Sequence, residues 1–197
     1  MRRFILVAVF IALPFLPCYC FSTITLDFED LEYQQIISGT DYQGISWEFG
    51  NAGYGEQEGC WVCSRYIYPI VPSSGTHHLT NGWGATLIGM QFSSEVNVVG
   101  AYFSRQGGSS GTTEIRVHGY WGGSEIAVTD WFDGLNSDFQ WVDINLQHVD
   151  RIVIESVPME DNAGWYGMDD FTYEIPEPAS LVLFACGGLL IRKWLRC

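Results

Sequence analysis

The sequence predicts an all-β fold, an antiparallel two-sheet jelly-roll sandwich, and three observations lead there. Short segments of alternating apolar and polar residues recur along the chain, separated by Gly, Asn, Asp and Ser turns. The composition, with 22 glycines, 8 tryptophans and 10 tyrosines, is poor in strong helix formers, and no heptads, long helical periods or internal repeats occur. The body between the two chain ends, about 150 residues, is large enough for one hydrophobic core and too small to need a second.

Thr23 to Phe28 is the first expected strand and Gly44 to Phe49 the next. Asn51 to Gly59 reads as a Gly-rich loop, and Tyr66 to Val71 as a strand closed by the turn Pro72-Ser73-Ser74-Gly75. Leu87 to Phe92 and Val96 to Arg105 follow, the second with Val99, Ala101 and Phe103 on one face, and Gln106 to Thr112 is a turn. Thr113 to Trp121 alternates most cleanly, with Ile115 and Val117 inward and Glu114, Arg116 and His118 outward. Glu125 to Thr129, Trp141 to Leu146, Arg151 to Val157 and Met168 to Tyr173 complete about nine or ten short strands, as a jelly roll requires.

The two ends read as export signals. Arg2-Arg3 followed by Phe4 to Leu16 has the positive n-region and apolar h-region of a secretory signal peptide, placed at residues 1–22, with cleavage after Cys20 or after Ser22. Residues 175–197 have three parts. Two prolines hold Pro176-Glu177-Pro178 extended. Residues 179–191 carry no charge and read as a short transmembrane helix, and Arg192, Lys193 and Arg196 form a basic cytoplasmic stop. That apolar run spans roughly 20 Å of helix against a hydrocarbon core of about 30 Å, which suits a transient anchor. Residues 23–174 remain as one exported domain.

This tail resembles the PEP-CTERM sorting signal of Gram-negative bacteria, also known under the label of an ice-binding protein C-terminal domain. The resemblance rests on Pro176-Glu177-Pro178, the apolar segment and the basic end, in that order. It implies Sec-dependent export and processing by an exosortase, a membrane cysteine protease that recognises the Pro-Glu-Pro motif. The implied destination, after a transient stage in the membrane, is the cell envelope, the outer surface or the extracellular polysaccharide matrix. Asp27-Phe28-Glu29-Asp30, Tyr42-Gln43-Gly44-Ile45-Ser46-Trp47, Val99-Gly100-Ala101-Tyr102-Phe103 and Gly167-Met168-Asp169-Asp170-Phe171 resemble the β-sandwich domains found ahead of this signal. Those domains are similar in layout to carbohydrate-binding modules.

The formal charge is −14, and the body is more acidic than that figure. Arg2, Arg3, Arg192, Lys193 and Arg196 lie in the terminal signals, leaving Arg65, Arg105, Arg116 and Arg151 as the body's only cations, with no lysine. Such a surface repels a phosphate backbone and excludes nucleic acid as a partner. Once the signal peptide and tail are set aside, Cys60 and Cys63 are the only cysteines of the body. In an oxidising compartment a small loop disulfide is expected of them. Redox chemistry would need the pair at a helix start, and a zinc site would need further ligands.

Three kinds of chemistry bear on the body's residues. Calcium takes six to eight oxygens; the resemblance to carbohydrate-binding jelly rolls implies a structural Ca²⁺ where the first and last strands meet, carried here to Glu29, Asp30, Asp169 and Asp170. Otherwise these carboxylates are solvated strand ends or turn caps. Sugar rings stack on exposed aromatics; Trp61, Tyr66, Tyr68, Trp83, Tyr120, Trp121, Trp131 and Trp165 lie in or near turns, with Trp61, Trp83, Trp121, Trp131 and Trp165 the leading candidates and Trp47 and Trp141 assigned to the core. For catalysis no strand carries a Glu-x-Asp-x-Glu pattern, no Gly-x-Ser-x-Gly occurs, and His77, His78, His118 and His148 are scattered and read as surface residues. The expectation is therefore a non-enzymatic exported protein whose body binds exopolysaccharide. The rival is a purely structural surface protein with no specific ligand, and a glycan-active enzyme ranks last.

Overall fold

The computed structural model describes residues 21–65, 71–106, 108–159 and 163–177. The signal peptide up to Cys20, residues 66–70 of the strand expected at Tyr66, Pro178, the segment 179–191 and Arg192, Lys193 and Arg196 lie outside the described residues. Ten strands form among those described: β1 (Phe21–Leu26), β2 (Asp41–Tyr42), β3 (Ile45–Trp47), β4 (Cys60–Arg65), β5 (His77–Gly82), β6 (Leu87–Arg105), β7 (Ile115–Trp121), β8 (Ser124–Val128), β9 (Gln140–Ser156) and β10 (Tyr166–Pro176). They join in the order β4-β5-β10-β6-β9-β7-β8, with β1 on β10, β3 on β6 and β2 on β3, every pair antiparallel.

The long strands β6 and β9, each expected as two, are continuous and organise the fold. Leu87 to Gln91 pairs with Arg151 to Glu155, whereas Val96 to Phe103 pairs with Gln140 to Val149, and the register slips three times between Gln91 and Gly100. The first slip, between Gln91 and Val96, places three extra residues in β6, and the two that follow each place one extra residue in β9; such irregularities bend the paired strands and shift which residues face inward. Ile88, Met90, Val96 and Val98 therefore point to the core upstream, and Ala101 and Phe103 downstream. Val98, not Val99, is the core residue at the crossover. Sequence alternation alone does not locate a bulge.

The two halves of the ladder face each other across a single core. Trp61 on β4 meets Trp47 on β3 edge-on at 5.6 Å and Tyr166 on β10 at 6.2 Å, and its indole N–H donates to the carbonyl of Gly89 on β6 at 3.0 Å. The sheet is thus one hydrogen-bonded ladder folded over a shared interior, consistent with the expected sandwich. β1 starts at Phe21, opposite Pro176, so its ladder with β10 begins two residues before Thr23.

Four expectations are corrected by β4, β5 and β9. Cys60 and Cys63 are free and buried. Both lie on extended β4, where residues three apart stand about 10 Å from each other at 3.3 Å per residue and point to opposite faces, so the expected disulfide cannot close. Burial pushes the Cys63 thiol up to about 11, with Glu29 and Asp30 adding to it. Trp61, between them, is fully buried and is a core residue, not a glycan platform. Trp141 is 39% exposed on the outer face of β9, its indole N–H donating to Asp143 at 2.7 Å, because Val142, Ile144 and Leu146 take the inward positions. His78 is buried, with its Nε2 2.7 Å from the Gln106 amide, and burial holds its imidazole down to about 4.

Candidate functional site

The outer face of β3, the first half of β6, the second half of β9, β7 and β8 carries a cluster of charged side chains. On β7, Ile115, Val117 and Gly119 turn inward, which sends Arg116, His118 and Tyr120 outward. On β9, Ile152 and Ile154 turn inward, which sends Arg151 and Glu155 outward on the neighbouring strand. Glu48 follows β3 and lies over β6 at Gly89: a Cβ at Gly89 would stand 2.6 Å from Glu48 Oε2. The absent side chain is what lets the carboxylate reach across to β9.

These side chains form a continuous relay. Arg151 donates Nε to Glu48 Oε1 and Nη2 to Glu48 Oε2, both at 2.7 Å, and its guanidinium lies 5.0 Å from the Tyr120 ring centre. The Tyr120 hydroxyl donates to Glu125 Oε2 at 3.3 Å. His118 sits between two carboxylates, Nδ1 at 2.9 Å from Glu125 Oε2 and Nε2 at 2.9 Å from Glu155 Oε2. Glu155 also accepts Arg116 Nε at 2.5 Å, and the Arg116 guanidinium stacks 4.6 Å from the Trp131 ring centre. Each arginine is thus held by one carboxylate and one aromatic ring.

The electrostatics follow this geometry. Burial alone would raise the Glu155 carboxyl, but hydrogen bonds from Arg116 and His118 outweigh it and hold the group below its ordinary range. The hydrogen bonds to Glu48 raise Arg151 further, against its partial burial. Partial burial, with Glu125 beside it, raises the Tyr120 phenol. Glu48, Tyr120, Arg151 and Glu155 border an open cleft of about 470 Å³ that Phe49, Leu87 and Val153 line with apolar surface.

Of the five tryptophans expected to stack on sugars, the structure places Trp131 at this relay through Arg116. Trp121, 46% exposed, ends β7 at the Gly122-Gly123 turn. Trp83, 48% exposed, and Trp165 lie elsewhere, at a loop cluster where Tyr54 contacts the Trp165 ring at 5.7 Å and donates its N–H to the Trp83 carbonyl at 2.7 Å. The relay's charged members were not among the sequence candidates. The signal was present in Arg116-Val117-His118-Gly119-Tyr120 and Arg151-Ile152-Val153-Ile154-Glu155, whose alternate residues share a face; only the pairing of β7 with β9 shows that the two faces are one.

The four carboxylates assigned to calcium are held differently. Asp169 Oδ2 accepts the Ser73 N–H, Ser73 hydroxyl and Ser74 N–H at 2.9, 3.0 and 3.1 Å, and Asp170 accepts the two serine hydroxyls at 2.7 and 2.8 Å. Glu29 Oε1 accepts the N–H groups of Thr76 and His77 at 2.7 and 2.6 Å. Asp30 accepts the Tyr42 hydroxyl at 2.5 Å and, more weakly, the Gln43 amide. Three carboxylates therefore clasp the loop Ser73 to His77 with their lone pairs engaged, and the fourth bonds a different loop. Among the described residues no group of three or more His, Cys, Asp or Glu is placed to share an ion. As placed here, the four carboxylates are engaged by the protein's own N–H and O–H donors.

No protein-family model matches the chain, and no curated protein matches it in sequence. Among solved structures it is similar to a cleaved adhesin domain of Lys-gingipain, with a TM-score of 0.50 and 11% identity over 78% of this chain and 99% of that one. At this identity the likeness is one of fold alone. Looser likenesses are to a family 29 carbohydrate-binding module from Piromyces equi (TM-score 0.41, 10% identity, 78% of this chain and 90% of that one) and to a family 61 module in complex with β-1,4-galactotriose (TM-score 0.40, 13% identity, 70% and 91%).

Proposed function

We propose that this chain is an exported, non-enzymatic glycan-binding protein of the cell envelope or extracellular matrix, built on a jelly-roll sandwich and carried by an exosortase-type sorting tail. The observation that carries the binding reading is the outer-face relay beside its cleft. Sugar recognition needs aromatic or apolar surface for C–H faces and fixed polar groups for hydroxyls. Tyr120, Trp131, Phe49 and Leu87 offer the first; the Glu48–Arg151 and Glu155–Arg116 pairs offer donors and acceptors side by side. Preorganisation of these groups by mutual bonds lowers the entropy lost on binding.

The export route rests on the terminal sequence patterns, and Pro176 and Glu177 are its members among the described residues. A polysaccharide pull-down and glycan array test the binding reading. Retention on at least one polysaccharide, lost on Arg151→Ala, is expected, and no retention on any would leave the ligand-free structural protein in its place. Mass spectrometry of the mature C-terminus tests the sorting: material from the producing cell should end before Cys197.

A further inference from the structure

We propose, building on the glycan-binding reading of this face, that the cleft accepts a neutral polysaccharide and rejects polysaccharides bearing uronate or sulfate groups. The guanidiniums here are already neutralised. Arg151 is forked onto Glu48 and Arg116 is bonded to Glu155, and His118 lies at 2.9 Å from carboxylates on both sides. An incoming anion would have to displace a carboxylate from a bidentate pair or approach three carboxylates without a free cation to meet it. Like charges brought together in this way oppose the complex, and opposite charges already bonded to each other recover little of that cost.

The rest of the surface adds to the rejection. All 23 acidic residues lie between Asp27 and Glu177. The body's remaining arginines are not at this cleft: Arg65 stacks 4.5 Å from the Tyr33 ring, and Arg105 lies at the end of β6 with its Nε buried. The long-range field therefore repels polyanions before contact. A hydroxyl, in contrast, both donates and accepts. The Arg151–Glu48 fork presents N–H donors next to carboxylate lone pairs, which suits neighbouring sugar hydroxyls and gains nothing from ligand charge.

The test measures binding of the full-length chain to neutral β-glucan, xyloglucan and β-1,4-galactan, and to polygalacturonate and alginate. Neutral binding should exceed acidic binding by at least about tenfold and change little up to about 0.5 M salt. Tighter binding to the acidic set would overturn the neutral class and leave the glycan-binding reading standing. Absence of binding to either set would overturn both. Glu48→Gln supplies a second arm, because it frees the Arg151 charge. Its affinity for polygalacturonate should rise about tenfold and become salt-sensitive, with Glu155→Gln doing the same through Arg116 if the first variant folds poorly. Unchanged rejection of acidic polymers by a folded variant would overturn the role given to the carboxylates.

Discussion

Arg151 and Glu48 meet through two parallel hydrogen bonds of 2.7 Å, joining the second half of β9 to the end of β3 across β6. The fork passes over Gly89, where any side chain would occupy the carboxylate's place. It fixes Tyr120 as well, since the same guanidinium lies 5.0 Å from that ring. One arginine thus sets a charge pair and an aromatic face at once.

Arg151→Ala should therefore remove more binding than stability. Both partners of the fork remain partly exposed, with Arg151 at 32% and Glu48 at 27%, so solvent screens the pair. A stability loss of about 1 kcal/mol is expected by chemical denaturation, with a loss of polysaccharide affinity of about tenfold or more by calorimetry. Arg151→Lys should not rescue binding, because an ammonium cannot reproduce the planar fork.

Trp131 and Trp61, alike as sequence candidates, should separate cleanly. Trp61→Ala opens a large hole between Trp47, Tyr166 and Gly89 and should cost about 3–5 kcal/mol. Trp131 is 37% exposed and stacks mainly on Arg116. Trp131→Ala should lower stability by about 1 kcal/mol or less while weakening glycan binding. Equal destabilisation by the two variants would contradict these placements.

The contrast shows where sequence reading stopped. The inward and outward positions of Ile115 to His118 were legible, because clean alternation on a half-buried strand encodes its faces directly. Trp61 was misplaced because the cysteines flanking it suggested a stapled loop, whereas their spacing on an extended strand separates them. The relay stayed hidden because Glu48, Arg116, Arg151 and Glu155 are brought together by pairings between strands up to 103 residues apart in sequence. Local pattern carries no register between such partners.

Calcium removal gives a third prediction. Since Glu29, Asp169 and Asp170 already spend their lone pairs on the Ser73 to His77 loop, EDTA should leave the melting temperature unchanged and added Ca²⁺ should not raise it. Truncating the clasp should matter instead. Glu29→Ala leaves the Thr76 and His77 N–H groups without their acceptor and should cost about 1–2 kcal/mol. A melting temperature that falls with EDTA in the parent chain would return these carboxylates to metal binding.

The Tyr166 hydroxyl is buried in the core beside Trp61 and Phe103 and has no hydrogen-bond partner among the described residues. Burial alone raises its phenol well above the ordinary value. Tyr166→Phe keeps the ring and removes the unpaired group, so it should be neutral or stabilising by up to about 1–2 kcal/mol in chemical denaturation. A clear loss of stability would show that the hydroxyl is hydrogen-bonded in solution.

His78 and Asp169 should give the stability profile opposing slopes in mildly acidic solution. Burial lowers His78 from 6.5 to about 4. The unfolded chain therefore holds the extra proton in that window, and stability falls as the pH drops through it. Burial raises Asp169 from 3.8 to about 6, the Asp170 charge adding to it and the Ser74 N–H opposing it. Here the folded chain holds the extra proton, so stability rises as the pH drops from about 6 towards 4. With both groups present the two slopes largely cancel between about pH 4.5 and 6. Below that range Glu29 and Glu155, held beneath 4.5 by their hydrogen bonds against the effect of burial, take up protons and stability declines. Asp169→Asn should unmask the histidine and give stability that falls steadily on acidification from pH 6.5. His78→Gln should unmask the aspartate and give stability that rises over the same span. Denaturation midpoints across pH 4.5 to 6.5 decide the matter: parallel profiles for the two variants would show that neither group titrates as its burial requires.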